Sequence, residues 1–268
     1  MIIKIFDIDG TLTHAYGDIA DKTGYETYAF WPLITAHFTK DKDVLNKMIA
    51  DWEESMNTEK DPTGSSHDMM QKGINTFRSD ANGAAVRAFA KGVTLKFIEQ
   101  GVIRKEAIAY LEKQAKQGVI CILSTGSYQD GALGFVDALV EKGLISKETQ
   151  KALYVSGAVV DWDSFTLLHA NVRERKLLGI EAVTGRKISE LQQHIKAVYG
   201  DDPWINDKDI LEIAPPGVAY VITTCKNNNK ELPSGYSLTT WNNIIKQESK
   251  ETEEADRNPV TTPFRSML

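Results

Sequence analysis

The chain has 268 residues, of which 42% are hydrophobic, 25% charged and 9% aromatic, a composition of globular proteins that excludes disordered and fibrous classes. With 37 acidic against 31 basic side chains the net charge is −6, so no domain-wide basic excess is available to neutralise nucleic-acid phosphates, and no nucleic-acid partner is expected. No apolar run approaches the ~20 residues that cross a bilayer, and the first residues lack a secretory pattern. The short apolar runs predict no membrane partner, and with only Cys121 and Cys225 present no disulfide framework is expected and a reducing, cytoplasmic setting is.

In chain order, Ile2 to Phe6 reads as a short apolar strand ending at Asp7, followed by the turn signal Asp9-Gly10-Thr11. A strand whose C-terminal end carries acids and glycine fits an α/β sheet, where ligands collect at the strand ends. Helical periodicity follows. Asp41 is a candidate N-cap for a helix with Val44, Leu45, Met48, Ile49 and Trp52 on one face. Thr63 to Ser66 reads as a loop, and Met69–Phe77 and Ala84–Glu99 read as helices. Residues 16–100 are expected to form a helical subdomain with a small core of its own, inserted after the first strand where it could cover the strand end. Its Tyr25, Tyr28, Phe30 and Trp31 read either as core or as the lining of a pocket.

From Ile103 helices and strands alternate. Ala107, Ile108, Leu111 and Ala115 mark one helix face, and Gly118 stops that helix. Val119 to Leu123 is an apolar strand ending in Ser124-Thr125-Gly126-Ser127. A helix near Leu133–Lys142, a strand near Leu153–Val160, a strand Ile195–Gly200 ending in Asp201-Asp202 and a strand Val218–Thr223 complete the pattern. Alternation of this kind implies a Rossmann-like parallel sheet with helices on both faces, an α/β fold built from residues 1–15 and 101–246. Residues 247–268, rich in Glu, Lys, Thr and Pro, are expected to be a disordered tail.

The most specific chemical signal is Asp7-Ile8-Asp9-Gly10-Thr11. Two carboxylates two residues apart at a strand end converge on one small volume, where one can attack and the other can handle protons. Three weaker signals follow in order. Ser124, or Thr125 if the strand ends one residue later, offers a hydroxyl at a strand end. A lysine is offered by Lys176 or by Lys187. Lys176 leaves room for a helix, a turn and a strand before Asp201, whereas Lys187 leaves barely two helical turns, so the spacing favours Lys176. The Asp201-Asp202 pair, with Asn206 and Asp207 after it, supplies the hard oxygen donors that a magnesium ion takes.

These four motifs, in this order, resemble the haloacid dehalogenase superfamily of phosphohydrolases, and the helical insertion resembles the cap of its phosphoserine phosphatase-like branch. The resemblance implies that Asp7 is the nucleophile and Asp9 the acid/base. It places Thr11, Ser124, Thr125 and Gly126 around the phosphate and Lys176 against its charge. Magnesium would be held by Asp7, the Asp9 carbonyl and Asp201, with Asp202, Asn206 or Asp207 in support, Asp207 being favoured. The two residues Pro203-Trp204 are an insertion relative to the family's spacing. The activity implied is magnesium-dependent hydrolysis of a small phosphorylated metabolite through an aspartyl phosphate. The alternatives are transfer of the phosphate to an alcohol, or a non-catalytic protein acting through its cap or tail. Phosphoserine phosphatases carry a glutamate nine residues after the nucleophile; here that residue is Tyr16, with Asp18 nearby, so the resemblance does not extend to phosphoserine as substrate.

Overall fold

The computed structural model describes residues 1–40, 43, 46, 47, 50 and 62–257. The expected helix from Asp41 to Trp52 falls mostly outside the described residues. Strands β1 (Ile3–Phe6), β2 (Ile120–Tyr128), β3 (Tyr154–Asp161), β4 (Thr166–His169), β5 (Ile195–Gly200), β6 (Ala219–Ile222) and β7 (Leu238–Thr239) form one seven-stranded sheet in the order β4-β3-β2-β1-β5-β6-β7. Every pairing is parallel except β3 with β4, a hairpin at the edge that strand periodicity did not reveal.

β1 is central, and its alternation sorts the molecule into two layers. Ile3 and Ile5 join Ile122, Val198, Ile180 and Ile210 on one face, whereas Phe6 joins Leu111, Leu123, Phe135 and Tyr199 on the other. The first face is covered by α7 (Glu174–Thr184) and α9 (Lys208–Glu212), with the short α8 (Ile188–Leu191) between them in sequence. Phe6's face is covered by α1 (Phe30–Phe38), α3 (Gly83–Gln100), α4 (Lys105–Lys116), α5 (Gln129–Glu141) and α10 (Trp241–Arg257). Helices α2 (Pro62–Asn75) and α6 (Lys147–Ala152) complete the described set. None of the described helices is long and apolar enough to cross a membrane.

The chain leaves and re-enters the sheet layer at one place. The His14 N–H donates to the Val102 carbonyl at 2.8 Å and the Arg104 N–H to the Leu12 carbonyl at 3.0 Å, around a Thr13–Ile103 bridge. Among the described residues, the helices between these points have no separate core, contrary to expectation. Tyr28, Phe30, Ile34, Phe38 and Phe97 belong to the cluster that also holds Phe6, Leu111 and Phe135. Phe30 meets Phe135 edge-on at 5.8 Å and Phe97 at 5.7 Å, so Tyr28, Phe30 and Trp31 are core rather than pocket lining. The close contact is made possible by Gly134 of α5, where an added Cβ would stand 2.2 Å from the Arg87 carbonyl of α3.

Two further expectations are corrected. Thr63 to Ser66 lie in the first turns of α2, because Pro62 occupies its first position, where a fixed φ and a missing N–H cost nothing. Residues 247–257, part of the expected tail, continue α10, and residues 258–268 lie outside the described residues. Trp241 and Ile244, both buried, dock that helix, and its Glu, Lys and Ala residues then propagate it. Glu248 anchors it further, accepting from Gln114 Nε2 at 3.2 Å and pairing with the buried Lys4 at 2.5 Å.

Candidate active site

β1 and β5 are adjacent, so the acids that follow them share one space. The Asp7 N–H donates to the Tyr199 carbonyl at 2.9 Å, one residue beyond the end of β1, and Asp201 follows β5 directly. Lys176 arrives from the first turn of α7 and is fully buried. Its Nζ donates to Asp7 Oδ1 at 2.9 Å, to Asp207 Oδ1 at 2.6 Å and to the Ser124 carbonyl at 3.4 Å. The other oxygen of Asp207 accepts the N–H groups of Asp201 and Asp202 at 3.0 and 3.1 Å, so one carboxylate fixes both the lysine and the loop. Gly200 leaves the space for it: an added Cβ there would stand 2.7 Å from Asp207 Oδ2. Lys187 is exposed and pairs with Glu181 at 3.0 Å, away from these groups, which removes the alternative lysine.

Asp9 stands opposite. It accepts the Phe30 N–H at 3.2 Å and the Thr125 hydroxyl at 3.3 Å. Burial pushes its carboxyl up to about 6, against the downward pull of the Phe30 N–H, Lys176 and Thr125. The strand-end hydroxyl that reaches the site is therefore that of Thr125. Ser124, the first candidate, turns the other way and its hydroxyl accepts from Asn171 Nδ2 at 3.4 Å, because neighbouring strand residues point to opposite faces. The Thr11 hydroxyl is buried with no hydrogen-bond partner among the described residues, an unmet polar group two residues from Asp9. Gly126 lies under the Asn206 amide, 3.3 Å from where a Cβ would be. Asp202 does not face the site. Its carboxylate accepts the N–H groups of Trp204, Ile205 and Asn206 at 3.3, 3.2 and 3.1 Å, which closes the loop containing the Pro203-Trp204 insertion.

Carboxylate oxygens of Asp7, Asp201 and Asp207 all lie within 4.8 Å of one another. Asp207 is committed to Lys176 and to the loop, whereas the Asp201 carboxylate accepts no hydrogen bond among the described residues. Gly10 brings Asp201 close: it has φ +82°, and an added Cβ would stand 2.3 Å from Asp201 Oδ2. Burial, then the charge of Asp207, hold the Asp7 carboxyl well above the ordinary range in spite of Lys176. Burial and the charges of Asp207, Asp7 and Asp202 do the same to Asp201. One lysine does not offset this much negative charge. The surplus of hard oxygen donors fits a small divalent cation between Asp7 and Asp201.

Several contributors carried no strong sequence signal. Asn171 is fully buried and donates to the Thr125 carbonyl at 2.8 Å while accepting from Ser156 at 3.1 Å, so it fixes the backbone that presents Thr125. Only its place before the Lys176 helix pointed toward it. Arg173, the residue before α7, has φ +51° and pairs with Asp209 at 3.4 Å. Arg104 is buried and ties Thr13, Asp18 and Thr223 together, a set of positions without sequence proximity.

Comparison with known proteins agrees with this architecture. No protein-family profile matches the sequence, and no curated protein is detectably similar to it. Among solved structures the chain is similar to cytosolic 5'-nucleotidase IIIB bound to cytidine, at a TM-score of 0.56 and 11% identity, covering 94% of this chain and 87% of that one. It is also similar to a protein of unknown function from Bordetella pertussis Tohama I, at a TM-score of 0.51 and 13% identity, covering 92% and 95% of the two chains. The chain shares the fold of these structures, an α/β sheet flanked by helices on both faces.

Proposed function

We propose that the protein is a magnesium-dependent phosphomonoester hydrolase that works through an aspartyl phosphate on Asp7. The observation that carries this reading is the buried Lys176, held between Asp7 and Asp207, with Asp9 held opposite by the Phe30 N–H and the Thr125 hydroxyl. Lys176 orients Asp7 and offsets charge on an incoming phosphoryl group. Asp7 attacks phosphorus in line; the phosphorus bond to the leaving oxygen breaks as the bond to the Asp7 carboxylate forms, and protonated Asp9 gives its proton to the departing alcohol. Asp9 then takes a proton from water, which attacks the acyl phosphate and releases inorganic phosphate. Thr125 holds Asp9 in place, and the unpaired Thr11 hydroxyl is available to a phosphoryl oxygen.

Asp7, Asp201 and the Asp9 carbonyl would hold magnesium, which supplies electrostatic stabilisation of the phosphoryl charge when bound. The helices inserted between residues 16 and 100 serve in this reading as a cap that limits solvent access to Asp9. Phosphate release from an aryl phosphate, measured with and without magnesium, tests the proposal, with Asp7→Asn as the blank. Turnover is expected only in the wild type with the metal; equal turnover by the variant would overturn it. A rise in phosphorylated product on adding an acceptor alcohol would instead identify a phosphotransferase.

A further inference from the structure

A turn bonded to the Asp201 loop carries a cation that the proposed mechanism does not use. Residues 223–227 form a tight turn after β6, closed by the Asn227 side chain, which accepts the Thr224 N–H at 2.9 Å and donates to the Ile222 carbonyl at 2.8 Å. The turn is tied to the site on two sides. Asn227 Nδ2 also donates to the Asp201 carbonyl at 2.9 Å, and the Cys225 N–H donates to Asp18 Oδ1 at 2.6 Å. The Cys225 thiol donates to the Tyr16 carbonyl at 3.2 Å, so the turn also touches the segment that follows the catalytic loop. Lys226 is the residue between these two anchors. It is exposed and makes no ion pair among the described residues, yet its charge reaches both Asp9 and Asp201.

The acid nearest this rim is spoken for. Asp18 Oδ2 accepts the Ala15 N–H at 2.9 Å and pairs with Arg104 at 3.0 Å, and its other oxygen holds Cys225. It has no oxygen left to offer to a substrate ammonium. The rim thus presents an unpaired cation and a consumed carboxylate, the opposite of what an amine-bearing substrate requires.

We propose that Lys226 is a substrate-recognition residue that binds a second anionic group on the leaving alcohol, so that the site takes phosphomonoesters with an acidic tail rather than an ammonium tail. This rests on the phosphohydrolase reading, because the phosphoryl group anchors one end of such a substrate. The turn that carries the lysine is bonded to the Asp201 carbonyl, so a group on the leaving alcohol that extends from the site along this turn meets its charge.

The test is calorimetric binding, in the presence of magnesium, of four phosphonates with tails of similar length: propylphosphonate, 3-phosphonopropionate, propane-1,3-diphosphonate and 3-aminopropylphosphonate. Wild-type protein, Lys226→Met and Lys226→Glu are compared. The expected result is that Lys226→Met weakens the carboxylate and diphosphonate ligands about fivefold, the size of a partly exposed ion pair, and leaves propylphosphonate unchanged. Lys226→Glu is expected to reverse the preference toward the ammonium tail. Whichever acidic tail is the more sensitive names the chemistry of the natural one. An equal loss across all four ligands would place Lys226 on the phosphoryl group and overturn the proposal, as would no loss at all. These outcomes leave propylphosphonate binding and aryl phosphate turnover by the wild type intact. Absence of both would overturn the phosphohydrolase reading instead.

Discussion

The indole Nε1 of Trp241 donates to the Thr11 carbonyl oxygen at 2.9 Å, joining the first residue of the C-terminal helix to the loop that carries Asp7 and Asp9. The same indole stacks on Phe6 at 6.1 Å and lies against Tyr199 at 4.8 Å, the residues that precede Asp7 and Gly200. The C-terminal helix is therefore a support for the back of the site. Trp241→Phe keeps an aromatic ring but leaves the Thr11 carbonyl without its donor, and is expected to cost about 1 to 3 kcal/mol in urea unfolding and to lower turnover. Wild-type values for both would show that the contact is incidental.

Lys176 holds buried carboxylates together, so its removal leaves charge uncompensated. Lys176→Met is expected to lose activity and about 3 to 5 kcal/mol of stability at pH 7. The deficit should shrink as the pH falls. Burial, then Asp207, raise the folded-state pKa of Asp7 above its ordinary 3.8, so the folded protein takes up the proton that replaces the missing cation before the unfolded chain does. Adding Asp207→Asn to Lys176→Met should recover part of the loss, measured as a double-mutant cycle.

Thr125 and Ser124 separate site from scaffold. Thr125→Val removes the hydroxyl from Asp9 and is expected to lower kcat about tenfold with little change in Tm, a loss of the order of one hydrogen bond to a charged group. Ser124→Ala, facing Asn171, should leave kcat within about twofold and cost about 1 kcal/mol of stability. The reverse ranking in steady-state kinetics would return the role to Ser124.

Gly10 combines a left-handed backbone with contact against Asp201. Gly10→Ala adds backbone strain of roughly 1 to 2 kcal/mol and pushes a methyl group into the Asp201 carboxylate. The expected result is a rise of more than about tenfold in the magnesium concentration needed for half-maximal activity, which a metal titration reads directly.

Asp18 supplies a pH signature in stability. Burial alone would raise its carboxyl, but the His14 ring and the N–H groups of Cys225 and Ala15 hold it far below the ordinary 3.8. A depressed carboxyl contributes stability that is present above the unfolded value and is lost as the pH falls below it. Asp18→Asn should therefore lower Tm clearly at pH 6, and the difference from wild type should narrow toward pH 3.

Local chemistry in the sequence was enough to identify the sheet strands that carry the site, the Asp7-x-Asp9-Gly10 turn and the preference for Lys176 over Lys187. Each depends on short-range properties: apolar runs that must be buried, a glycine that can take positive φ, and the length of chain that a helix, a turn and a strand consume. The direction of Ser124 against Thr125 was not legible, since it depends on where β2 passes Asp9, and a shift of one residue reverses every side chain. The role of Asp202 as a loop closer depended on the path of Pro203-Trp204. Only the tertiary structure joined the inserted helices to the main core, docked a polar helix through Trp241, and brought Asn171 to Thr125, Arg104 to Thr13 and the turn that carries Lys226 to Asp201. Those contacts span long stretches of chain, and no local pattern encodes them because the energy that fixes them comes from burial and hydrogen bonds between distant segments.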